Sequence, residues 1–107
     1  MDYYGNSLAD PHVREGFGSL ATLGKPMGFS EVGPAFWLFA HPRGGFDNAS
    51  VIRSIRTDYP QATFFVYWQG WSSLLMNVQM GIVQNRNAKE LLHDPWVITR
   101  GSVSWRE

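Results

Sequence analysis

The chain has 107 residues, 44% of them hydrophobic and 17% charged, with nine basic residues balancing nine acidic ones. That composition fits one modest globular domain, and the zero net charge removes the electrostatic footprint that a nucleic-acid backbone or an anionic membrane surface normally demands. The absence of cysteine excludes a disulfide framework and thiolate metal sites, and no apolar run reaches the roughly 20 residues of a membrane span, the stretch from Ser73 to Val83 being broken by Asn77, Gln79 and Gly81.

Met1 to Asn6 has neither a basic n-region nor an apolar h-region, so no signal peptide is expected in this chain. Asp2, Tyr3 and Tyr4 stand where a preceding strand would end. Asp10-Pro11 is a helix opening: Asp can cap free amides, and Pro at the first helical position loses no hydrogen bond. Val13, Phe17 and Leu20 recur at helical spacing with Leu23 beside them, and Gly24, Lys25 and Pro26 end the helix. Gly16-Phe17-Gly18 lies inside this helix, not in a phosphate-binding turn between strand and helix.

Met27 to Val32 is a short apolar run bounded by Pro26 and Gly33-Pro34, as a buried parallel strand is when it ends at a loop. Glu31 is then a carboxylate at the C-terminal end of a strand. The segment Gly33 to Gly45, rich in Gly, Pro and aromatic residues, reads as a loop that shapes a binding face. Asp47 or Asn48 can cap a second helix, whose Val51, Ile52, Ile55 and Tyr59 keep helical spacing until Pro60. Asn48-Ala49-Ser50 matches a glycosylation sequon but is better explained by that cap.

Thr63 to Trp68 is β-branched and aromatic throughout, and its lack of polar alternation predicts a strand covered on both faces. A loop from Gln69 to Arg86, a short helix around Asn87 to His93 and an unassigned tail complete the chain. The order helix, strand, helix, strand, helix, with a strand end in front, predicts an α/β fold of parallel strands joined by right-handed helical crossovers.

In such folds active sites lie at the C-terminal ends of the strands. There Glu31 and Trp68 offer a carboxylate and a large aromatic to one crevice. A glycosidase needs that pair, because the ring packs on an apolar sugar face while the carboxylate attacks or stabilises the anomeric carbon. The same spacing also fits a strand-end Glu that caps its loop beside a core Trp. Aromatic residues form 15% of the chain, with five Trp, four Tyr and seven Phe. A Tyr hydroxyl from Tyr3 or Tyr4 could hold a neighbouring carboxylate ionised. His12, His41 and His93 lack metal-ligand spacing, so neither a metal nor another cofactor is expected. Ser30, Ser72 and Ser73 have no His in a credible relation for serine nucleophilic catalysis.

Four stretches together resemble the C-terminal portion of glycoside hydrolase family 26. They are Asp2-Tyr3-Tyr4-Gly5; Gly24 through Pro34, which includes Glu31; Pro60 through Trp68; and Asn85 through Leu92 followed by Asp94-Pro95-Trp96-Val97 and Arg100. The resemblance implies a partial (β/α)₈ TIM barrel, from roughly the end of strand 6 through helix 8, with residues 1–107 forming the C-terminal part of one catalytic domain. It implies a retaining endo-β-1,4-mannanase type of glycoside hydrolase, secreted as a whole enzyme and acting on a β-linked polysaccharide or oligosaccharide. Glu31 would be the nucleophile and Trp68 the platform beneath the sugar being cleaved. Tyr4, ahead of Tyr3, would hydrogen-bond the nucleophile, and Asp2, Gln69, Trp37 and Trp71 would line the cleft.

The family's general acid/base is a Glu within a His-Glu motif, and these residues contain no such segment. Retaining hydrolysis needs two carboxyl groups about 5–5.5 Å apart, and a general acid contributes about 10²–10⁴-fold, so negligible activity is expected of this chain alone. A whole barrel takes about 250 residues. The alternative expectation is a non-catalytic carbohydrate-binding or self-assembling partial-barrel module, associating through its open sheet edges.

Overall fold

The computed structural model describes residues 1–4, 7–34, 44–72, 74 and 77–103. Three parallel strands, β1 (Asp2–Tyr4), β2 (Met27–Gly33) and β3 (Ala62–Tyr67), form a sheet in the order β1-β2-β3. Helix α1 (Pro11–Ala21) crosses from β1 to β2, and α2 (Asn48–Asp58) from β2 to β3. A two-stranded antiparallel hairpin of β4 (Trp71–Ser72) and β5 (Asn77–Val78) follows, then a short 3₁₀ turn at Ile82–Gln84 and α3 (Ala88–Leu92). This is a small α/β unit, and no closed barrel occurs among the described residues.

Both main helices begin as their sequences dictate. Asp10 accepts from the His12 N–H at 2.9 Å with Pro11 at the first position of α1, and Asp47, not Asn48, caps α2 by accepting from the Ala49 N–H at 3.1 Å. Asn48 is instead buried, its amide donating to the carbonyls of Ile82 at 2.9 Å and Arg86 at 2.7 Å, so the sequon asparagine is closed to modification. Val13 and Phe17 of α1 face the core, but Leu20 and Leu23, expected beside them, are 44% and 66% exposed. They line an open groove of about 290 Å³ with Met27 and Phe64.

Phe17, Phe29 and Tyr59 pack ring against ring, with centroids 4.9 to 5.3 Å apart, and so join α1, β2 and α2. Each such pair adds about 0.5–1.5 kcal/mol beyond the area it buries. Strand β2 is not regular. Between Phe29 and Val32 it advances three residues while β3 advances two, from Phe65 to Tyr67, so one extra residue bulges at Ser30-Glu31. Phe29 and Val32 therefore both enter the core, while Ser30 is exposed and Glu31 half-buried.

Strand β3 departs from the expectation of two covered faces. Phe65 and Tyr67 pack toward the helices, whereas Phe64, Val66 and Trp68 are 48%, 52% and 44% exposed. The cause is that all three helices and the core lie on one side of the sheet. Gly28 marks how tightly β2 and β3 pack, because a Cβ there would lie 2.3 Å from the Phe64 carbonyl oxygen and 2.7 Å from its ring.

Candidate functional site

The strand register brings the predicted residues to one end of the sheet. Asp2 pairs with Glu31 across β1 and β2, Tyr3 with Val32, and Tyr4 with Gly33. Trp68 follows the last residue of β3, and its backbone N–H donates to the Val32 carbonyl at 3.3 Å. Glu31 and Trp68 thus lie toward the C-terminal ends of two neighbouring strands, β2 and β3, and Asp2, the first residue of β1, stands in register with Glu31.

The β2 bulge matters here because it keeps Glu31 out of the apolar layer. In a regular strand Phe29 and Glu31 would share a face, and Glu31 would be driven into the core behind Phe29. The extra residue turns Ser30 and Glu31 away together. Ser30, set aside as a nucleophile in the sequence, acquires a different place, since its hydroxyl donates to Asp2 Oδ1 at 2.5 Å. A serine one residue before a strand-end carboxylate was a visible signal, but its partner became evident only from the register of β1 against β2.

Tyr3 packs against the core, which takes its ring off the Ser30-Glu31 side. Burial raises its phenol above the ordinary value, partly offset by a backbone hydrogen bond from Ser7 and reinforced by the charge of Asp10. Tyr4 lies beside Gly33 in the register; its side chain is outside the described residues, as are Trp37, His41 and Ser73. His12 and His93 are exposed. Gln69 and Trp71 are both exposed and follow Trp68 in the loop and hairpin after β3. The hairpin itself was not foreseen. Among the described residues no three His, Asp or Glu side chains are grouped to hold a metal ion.

Chemically, this end of the sheet offers a carboxylate on a bulge, a second carboxylate in register with it and held by a hydroxyl, and an exposed indole, Trp68, at the end of the strand on the other side of β2. Such a surface suits a neutral ligand that has flat apolar faces and a rim of hydroxyls.

The chain is 31% identical over 96 residues to a mannan endo-1,4-beta-mannosidase of Bacillus subtilis, an alignment covering 90% of this chain and 23% of that relative. It is 31% identical over 98 residues to mannan endo-1,4-beta-mannosidase A and B of Caldalkalibacillus mannanilyticus, covering 90% and 17%, and 30% identical over 95 residues to a mannan endo-1,4-beta-mannosidase of Bacillus subtilis strain 168, covering 88% and 22%. No family model matches the chain, and no solved structure matches it. The chain therefore has distant, partial homology to β-mannanases and spans less than a quarter of the length of the curated relatives it matches.

Proposed function

We propose that residues 1–107 form the C-terminal part of a retaining β-mannanase barrel of the glycoside hydrolase family 26 type, from the end of its sixth strand through its eighth helix. The supporting observation is the pairing of Asp2 with Glu31 beside the backbone bond from Trp68 to Val32. Glu31 is the nucleophile, attacking the anomeric carbon of a β-linked mannosyl unit whose apolar face rests on Trp68. Tyr4 and Asp2 order the nucleophile's side of the site, with Tyr3 in a packing role. Gln69, Trp37 and Trp71 contact neighbouring sugars, and the whole enzyme is secreted. The general acid/base comes from a segment that these 107 residues do not contain, so this chain binds without cleaving.

The test uses the purified chain with mannohexaose, with cellohexaose as the competing β-1,4-linked glucan, reading both intrinsic tryptophan fluorescence and released reducing ends. Mannohexaose is expected to bind, and Trp68→Ala to weaken it about tenfold, equivalent to ~1.4 kcal/mol. No reducing ends are expected above the blank. Reducing ends that appear with the chain and persist in Glu31→Ala would sink the nucleophile assignment.

A second reading, a non-catalytic carbohydrate-binding or self-assembling module, is favoured by the exposed Phe64 and Val66 on the sheet face away from the helices. The coding sequence upstream of Met1 distinguishes the two: a His-Glu segment encoded there supports the enzyme reading, and its absence supports the module.

A further inference from the structure

The loop after β3 carries Trp68, Gln69 and Trp71, and its joint is Gly70. A Cβ at Gly70 would lie 2.2 Å from Gln84 Oε1 and 2.8 Å from the Val78 carbonyl oxygen. Any larger residue would have to push the loop off β5, because the Val78 carbonyl is backbone and cannot swing aside. Gln84 is held in turn by its own turn, its Oε1 accepting from the Gly81 N–H at 3.0 Å. Its backbone carbonyl is also approached closely by Gly44, which has φ +73° and whose Cβ would lie 3.1 Å away.

The neighbouring Asn85 fixes this turn to the rest of the fold. Its Oδ1 accepts from the Phe46 N–H at 3.3 Å, and its Nδ2 donates to the carbonyls of Gln79 at 3.1 Å and Gly81 at 2.9 Å. The segment 79–86 thus grips the residues entering α2 on one side and the Trp71 hairpin on the other. Gln84 is the contact between that grip and Gly70.

We propose that Gln84 is a positioning residue: its side-chain amide, wedged between Gly81 and Gly70, sets the angle of the loop at Gly70 and so the placement of Trp71 relative to Trp68. The functional consequence rests on the sugar-binding reading above, in which the two indoles contact successive sugar units. A binding constellation works best when its groups are held within about 0.5 Å and 10–20° of the productive geometry, so an amide that fixes the loop between two rings acts on binding without touching the ligand.

The experiment labels the whole chain with 5-fluorotryptophan, assigns the Trp71 resonance through Trp71→Phe, and compares Gln84→Leu with Gln84→Glu. Leucine has similar bulk and no acceptor, whereas glutamate keeps an oxygen for the Gly81 N–H. In Gln84→Leu the Trp71 resonance is expected to move while that of Trp96, whose ring lies under Arg56 of α2, stays in place. Mannohexaose binding is expected to weaken about fivefold, and Gln84→Glu to restore both readouts. A Trp71 resonance unmoved in Gln84→Leu overturns the proposal, and so does a shift of every tryptophan together with a lowered melting temperature. If the unsubstituted chain ignores mannohexaose, the sugar-binding reading fails, while the resonances of the unliganded variants still decide the role of Gln84.

Discussion

Tyr59 and Tyr67 both bury their phenolic oxygens, but only Tyr59 has a partner for it among the described residues, the Leu8 carbonyl to which it donates. Burial, with the nearby charge of Asp58, pushes the Tyr59 phenol up to about 12, and burial with the charge of Asp47 raises that of Tyr67. Both hydroxyls are therefore neutral at ordinary pH, and the difference between them is one hydrogen bond. Removing a hydroxyl that has a buried partner leaves that partner unsatisfied and costs about 1–3 kcal/mol, whereas removing an unpartnered one relieves a desolvation cost. Tyr59→Phe is expected to lower the melting temperature by about 4–8 °C per kcal/mol, and Tyr67→Phe to leave it unchanged or raise it. Thermal melts of the two variants beside the parent chain check this, and equal losses would contradict the hydrogen-bond account. The difference is not readable in the sequence, where Tyr59 is only the last apolar position of α2's periodicity and Tyr67 one residue of a uniformly apolar strand. Helical spacing shows which face turns inward, but not which carbonyl waits there.

At the scale of elements, α2 is anchored through Asp47. This one carboxylate caps the Ala49 N–H, accepts from the Asn87 amide at 2.8 Å and pairs with Arg53 at 2.6 Å. Arg53 is more than half exposed, so the ion pair contributes little by itself; the cap and the link to α3 carry the effect. Burial pushes the carboxyl upward, but the bonds from Asn87, Arg53 and Ala49 and the charge of Arg53 outweigh it and hold the carboxyl below the ordinary value of 3.8. A depressed carboxyl stabilises the fold fully above 3.8 and loses that contribution as pH falls through its lower folded value. Asp47→Ala is expected to cost about 1 kcal/mol at neutral pH, and Asp47→Asn much less. In urea unfolding the gap between parent and Asp47→Ala should shrink in acid; a gap that stays constant would show that ionisation of Asp47 is irrelevant. Caps of this kind, and the β-branched run of β3, made the order of helices and parallel strands legible. The hairpin was not, because β4 and β5 are two residues each and too short for any periodicity. Nor was the bulge, since an extra residue in β2 exists only relative to β3. Glu31 and Trp68 could be placed at strand ends from sequence, while the bulge that turns Glu31 out of the core could not.

For the molecule as a whole, parallel sheets are almost always covered on both faces, yet here the helices cover one. Phe64, Val66 and Trp68 form a row on the other face, the alternation along β3 placing them together. The outer edges of β1 and β3 have no strand beside them among the described residues, and such edges pair readily with another chain. Apolar face and open edge together predict that the isolated chain associates with copies of itself in a concentration-dependent way. Val66→Lys is the informative change, because Val66 is exposed and lies outside the buried core, so the fold should tolerate it while an ammonium group would oppose burial of the face. Sedimentation velocity over a range of concentrations should show larger species for the parent chain and a shift to monomer for Val66→Lys, with matching melting temperatures. Trp68 belongs to the same row and is also the proposed sugar platform, so association and binding compete for one surface. Saturating mannohexaose is therefore expected to move the parent chain toward monomer and to leave Val66→Lys where it was. A parent chain that sediments as a monomer at every concentration would show that the exposed row does not drive self-association.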